Sequence, residues 1–113
     1  MATLDAVLAA LSELHSDLEA RTWQPDEHER VMATAMRAEG GASAHAVRAG
    51  LRAAGPKVTH GRLAPVAARC AAILDSPIRA ASEDGRELRL ALDDVLFLIA
   101  RDRRPAPLRL VQR

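Results

Sequence analysis

Aromatic residues are nearly missing from this chain. Trp23 and Phe97 are the only two, and there is no tyrosine among 113 residues. An interior of this size built almost without rings must be filled by Ala, Leu and Val. That composition predicts closely packed helices, because Ala has the best helix propensity. Cysteine is almost as scarce. Cys70 stands alone, which excludes an intramolecular disulfide. It falls on the apolar face of a predicted helix and is expected to be a small core residue rather than a nucleophile. Lys57 is the single lysine, a bias that fits GC-rich coding. There is no run of apolar residues long enough to span a bilayer, and no basic-plus-apolar leader. The chain is therefore expected to be cytoplasmic, in a bacterium or its mobile elements, with no membrane partner. No glycine-rich phosphate loop is present, since Gly40-Gly41 lacks the following Lys-Ser/Thr. His15, His28, His45 and His60 are scattered, without partners at ligand spacing, so no metal and no cofactor are expected.

What is present suits one domain spanning residues 1–113. About half the residues are hydrophobic, and a chain of this length buries roughly two-thirds of its unfolded surface. The net charge of +1 hides an uneven layout. Residues 1–29 hold seven acids and one arginine. Residues 30–74 hold seven cations against Glu39 alone. Residues 75–100 are acidic again, and the tail from Arg101 is basic. A segregated basic segment bears on nucleic-acid binding more than the total does, although a solvated helix face rich in arginine gives the same pattern.

The first helix is predicted from a Thr3 cap to about Ala20. Leu4, Val7, Leu11, Leu14 and Leu18 form a two-heptad stripe on it, read either as a dimer seam within residues 1–22 or as the inner face of the domain. Two heptads are too few for a free coiled coil, which favours the inner face. Trp23 is expected to plug the edge of the core. Pro25, Asp26, Glu27 and Glu29 open a second helix to about Ala38, with Val31, Met32, Ala35 and Met36 inward and Gly40-Gly41 ending it. Ser43 caps a third helix to about Ala54. Val47 and Leu51 lie on its inner face, and Arg48 and Arg52 share its outer face. After a turn at 57–61, a fourth helix runs to about Leu74, starting near Arg62 so that Pro65 stays in its first turn. Glu87 to Leu92 then alternates polar and apolar, the period of a half-buried strand. Ile78, Ala80 and Ser82 form its partner, and Asp84-Gly85 between them is a strong hairpin signal. Asp93 or Asp94 caps a last, strongly apolar helix from Val95 to about Asp102, which is either buried or set against a partner. The tail 103–113 reads as a strand, an arm or disorder.

Helix, turn, helix and hairpin over residues 43–92 resemble a winged helix-turn-helix domain. Ile78-Arg79, Ser82-Glu83-Asp84-Gly85-Arg86 and Leu88-Arg89-Leu90-Ala91-Leu92 are similar to the wing of MarR-type regulators. The resemblance implies that Arg86 approaches DNA from the wing, at the minor groove. The expected fold is mainly α with one β-hairpin, with extra helices at both ends and a homodimer formed through the first and last of them. Arg48, Arg52 and Lys57 would meet phosphates. Thr59 in the turn is expected to contact DNA too, and His60, Arg62 and Arg69, at and along the fourth helix, would face base edges. The expected function is double-stranded DNA binding, as a small prokaryotic, phage or plasmid transcriptional regulator without enzymatic activity. The alternative is a helical adaptor or inhibitor that uses the Val95–Ile99 helix against a protein.

Overall fold

The computed structural model describes residues 3–55 and 61–102. Among them are six helices and no strand: α1 (Leu4–Ala20), α2 (Glu27–Ala38), α3 (Ala44–Ala54), α4 (Leu63–Leu74), α5 (Pro77–Ala81) and α6 (Glu83–Asp102). Lys57, Thr59, His60 and the tail 103–113 lie outside the described residues.

The first three helices begin at the caps their sequences give. Thr3 Oγ1 accepts the Ala6 N–H at 3.1 Å and Ser43 Oγ accepts the Ala46 N–H at 3.1 Å, both ordinary N-caps. Asp26 and Glu29 form a reciprocal capping box on α2. Past α2, Gly40 and Gly41 take φ values of +106° and +94°, a region that few side chains tolerate. Pro65 is the third residue of α4, where its missing N–H has no helical partner to lose.

Long α1 and α6 pack along each other, α2 lies against α3 and α6, and α4 fills the space between α1, α3 and α6. Val7, Leu11, Leu14 and Leu18 are buried, so the heptad stripe of α1 serves the chain's own core. On α2 the inward residues are Met32, Ala33 and Met36, while Val31 and Ala35 are only partly covered. Trp23 closes the edge of the core. Eight of the twelve residues of α4 are buried, among them Leu63, Val66, Cys70, Ile73 and Leu74. That degree of burial makes α4 a core helix rather than one laid on the surface.

The β-hairpin expected over 78–92 does not form. Ile78 and Ala80 lie in α5, and the residues expected to make the turn and second strand are the first half of α6. The winged helix-turn-helix and its MarR-like wing are thereby overturned, along with the hairpin in the fold class. The physical reason is a second period hidden in the same residues. Leu88, Leu92, Val95, Leu96 and Ile99 are fully buried and follow the i, i+4, i+7, i+8, i+11 spacing of one helix face. Alternation over six residues loses to a stripe sustained over twelve. Ser82 is a helix cap instead of a strand residue: its Oγ accepts the Gly85 N–H at 3.0 Å. Gly85 is required by close approach, not by a turn. A Cβ there would run into the Arg79 and Ala80 carbonyls of α5. Asp93 and Asp94 sit mid-helix and cap nothing, because α6 begins at Glu83, twelve residues earlier than expected.

Candidate interaction surface

The basic segment is contiguous in sequence but not in space. Each of its best-placed arginines is met by a carboxylate from another element. Arg48 on α3 reaches Asp75 Oδ1 at 2.8 Å. Arg62, just before α4, reaches Asp17 Oδ2 at 2.9 Å and Glu13 Oε1 at 3.9 Å, and its guanidinium lies 5.1 Å from the centre of the Trp23 ring. Arg37 on α2 reaches Asp93 Oδ1 at 3.3 Å and covers the Phe97 ring at 5.2 Å. The acids of residues 1–29 and 75–100 thus neutralise much of the excess in 30–74. Arg52 and Arg69 remain exposed with no partner among the described residues. The Arg48–Asp75 pair places the outer face of α3 beside the C-terminal end of α4, whose exposed positions include Ala68, Arg69 and Ala72. Arg86, expected at a wing tip, instead lies exposed in the second turn of α6.

Beneath this surface lies a joint that sequence reasoning missed. Glu29 is 2% exposed and is the only buried charged residue among those described. One carboxylate oxygen accepts the Asp26 N–H at 3.1 Å, and the other accepts the Leu63 N–H at 2.9 Å. A single carboxylate therefore closes the box on α2 and caps α4, thirty-four residues on, where Arg62 offers no side-chain cap. A negative group at the N-terminus of α4 is also favoured by the helix dipole. Gly61 leaves room for it, since a Cβ there would collide with the Glu29 carboxylate. The Asp26-x-x-Glu29 spacing signals the local half of this device. The reach to Leu63 leaves no trace in local pattern.

The outer face of α6 follows another rule. Leu90 is 62% exposed and Phe97 52%. They are seven residues apart, hence two turns apart on one stripe. Val95, Leu96, Leu98 and Ile99 are committed to the core, so the apolar helix expected to contact a partner offers only Phe97 from that run. At 100° per residue, Arg86 and Asp93 fall on the side of the stripe that faces α2, and Glu83, Glu87 and Asp94 fall on the side that faces α1. Arg37 confirms the first placement through its contacts to Asp93 and Phe97. A cleft of about 260 Å³ runs between this flank and the Gly40–Ala42 loop, with Arg86, Arg89, Leu90 and Asp93 on its wall. A second, of about 430 Å³, separates the acidic flank from Leu8, Ser12, His15 and Ser16 of α1.

A third cleft, of about 440 Å³, lies at the α5–α6 corner and is lined by Thr3, Leu4, Ile73, Arg79, Ser82, Asp84 and Gly85. Cys70 opens into none of the three. Burial pushes its thiol up to about 12, so it is a neutral core group at physiological pH. No cluster of three metal-ligating side chains occurs among the described residues, and no described helix is long and apolar enough to cross a membrane. No family model matches this chain, and neither does any curated protein or solved structure.

Proposed function

We propose that this protein is a small helical protein–protein interaction module whose working surface is the outer face of α6. The observation that carries the reading is the pair Leu90 and Phe97. They are two large apolar side chains left in the open on one helix face, between two clefts, while most other large apolar groups among the described residues are buried. Exposed apolar side chains aligned on one face and rimmed by charge are a feature of association sites, whereas a single exposed leucine is ordinary. Ile78 is exposed too, but it stands alone on the five-residue α5. The reading gives the chain no catalytic role.

A photo-reactive amino acid placed at position 90 or 97 tests it in cells of the source organism. Cross-linked product at both positions, with none from position 52 on α3, is the expected result. Absence of product at 90 and 97 overturns the reading.

A second reading keeps double-stranded DNA as the partner, in the manner of a small transcriptional regulator without a wing. Its support is the unpartnered Arg52 and Arg69 beside the exposed Arg48. Phosphates would have to displace Asp75 from Arg48. Exposed pairs of this kind contribute little, about 0–1 kcal/mol, so that step is cheap. Anisotropy of a labelled duplex at low and moderate salt separates the two readings. Binding that falls steeply with salt, and falls again in Arg52→Ala and Arg69→Ala, supports DNA. No binding at low salt removes it.

A further inference from the structure

We infer that the occupant of the α6 face is a second copy of this chain, related by a two-fold axis that runs along the two α6 helices so that they lie parallel. The inference rests on the α6 face being the working surface, and it adds the identity and orientation of the partner.

The argument comes from charge on the two flanks. Leu90 and Phe97 form the central stripe. Toward α2 lies Arg86, with Arg37 drawn across Phe97 and holding Asp93. Toward α1 lie Glu83, Glu87 and Asp94, none of which has an ion-pair partner among the described residues. Arg101, five turns beyond Glu83, shares its angle at the far end of the helix, so it is over residues 83–97 that the face is basic on one side and acidic on the other. A two-fold contact uses the same patch twice, so two helices that face each other along their length can do so in two ways. With the axis across the helices they run antiparallel, and each flank meets its own kind. With the axis along them they run parallel, and each basic flank meets an acidic one.

The parallel arrangement also sets the heights. Residues of equal number lie level, so Leu90 meets Leu90 of the second copy and Phe97 meets Phe97. Arg86 comes level with Glu87 of the second copy, one residue away. Arg37, held at the height of Asp93, comes level with Asp94 of the second copy. Asp93, the one acid on the basic flank, is already neutralised by Arg37. The clefts on both sides of α6 give the long flanking side chains somewhere to lie. Two apolar residues per copy make a small seam, so the association should fall in the micromolar range, at the weak end of specific interfaces.

Sedimentation velocity of the whole chain between about 5 and 200 µM is the test, with Leu90→Glu, Phe97→Glu, Arg86→Glu and the double variant Arg86→Glu with Glu87→Arg measured beside it. A concentration-dependent dimer is expected. Either glutamate on the stripe should raise the dissociation constant about thirty-fold or more while the helical circular dichroism stays unchanged. Arg86→Glu should weaken the dimer, and the double variant should recover it, because the exchange restores opposite charges across the seam. Orientation is read separately. In a Cys70→Ala background, Leu90→Cys should oxidise to a disulfide-linked dimer on its own. A monomer at 200 µM overturns the second copy as occupant, yet cross-linking of a different protein from position 90 would leave the working surface standing. A dimer indifferent to Leu90→Glu and Phe97→Glu overturns the α6 seam. A dimer in which Leu90→Cys does not link to itself overturns the parallel arrangement.

Discussion

The side of the molecule around α3 and α4 and the outer face of α6 are built on opposite rules. On the first, several polar groups have an answer from far along the chain: Arg48 has Asp75, Arg62 has Asp17 and Trp23, and the Leu63 N–H has Glu29, while Arg52 and Arg69 are left without one among the described residues. On the second, Leu90 and half of Phe97 are left in water, and Glu83, Glu87 and Asp94 beside them have no ion-pair partner among the described residues. A run of like charge in sequence thus says little about a patch in space, because folding can bring the opposite run against it. What remains unanswered after folding is the better guide to a working surface.

The contrast can be broken by removing answers, and the deepest should cost most. Glu29→Ala strands two N–H groups, those of Asp26 and Leu63, and should lower stability by about 3 kcal/mol in urea unfolding. Glu29→Gln should recover part of that loss, because only one of its two terminal atoms can accept.

The core beneath both sides makes the next prediction. The folded thiol of Cys70 titrates near 12, above its ordinary value of 9.0, so the neutral form is favoured by folding. Its contribution is complete below pH 9 and is lost as pH rises from 9 toward 12. Between pH 8 and pH 10 the loss should be about 1 kcal/mol. Cys70→Ala should remove that part of the alkaline slope, and the thiol should resist alkylation until the chain unfolds.

Smaller still are the surface answers. Arg62→Ala gives up a ring contact and two exposed ion pairs and should cost about 1 kcal/mol. Arg48→Ala, with one exposed pair, should cost less than about 0.5 kcal/mol. At the far end, Leu90→Glu and Phe97→Glu should leave the stability of the monomer within about 0.5 kcal/mol of the parent, since neither residue is in the core. A large loss of monomer stability in either would mean that α6 is packed differently and would erase the contrast.

How far the sequence reveals this fold depends on the range of the signal. The starts of α1 to α3 are set by Thr3, Asp26 and Ser43, and the end of α2 by Gly40-Gly41, residues that act within one turn; Pro65 limits where α4 can begin. These are legible. So is the inward face of α1 and α4. The error over 78–92 has an equally local cause. Asp84-Gly85 is a turn signal when read alone, and Leu88-Arg89-Leu90-Ala91-Leu92 alternates only because Leu90 is apolar. Leu90 is also the residue that the fold leaves outside. An apolar residue on the wrong face of a helix disguises the period, and the same misplacement is what marks a surface kept for contact. Among the candidate DNA contacts, the ion pairs of Arg48 and Arg62 join residues that are 27 and 45 positions apart. No local pattern carries such pairings, so the neutralisation of the basic segment was not legible. The tie from Glu29 to Leu63 was hidden for the same reason.

Phe97 is the only phenylalanine in the chain, which makes it a ready reporter on the α6 face. Protein made with 4-fluorophenylalanine gives one fluorine resonance from the centre of the proposed seam. That resonance should move between a dilute and a concentrated position across the micromolar range, and Leu90→Glu should pin it at the dilute one. A resonance that stays in one place from dilute to concentrated protein, and stays there when extract of the source cells is added, would contradict the claim that this face is where the protein works.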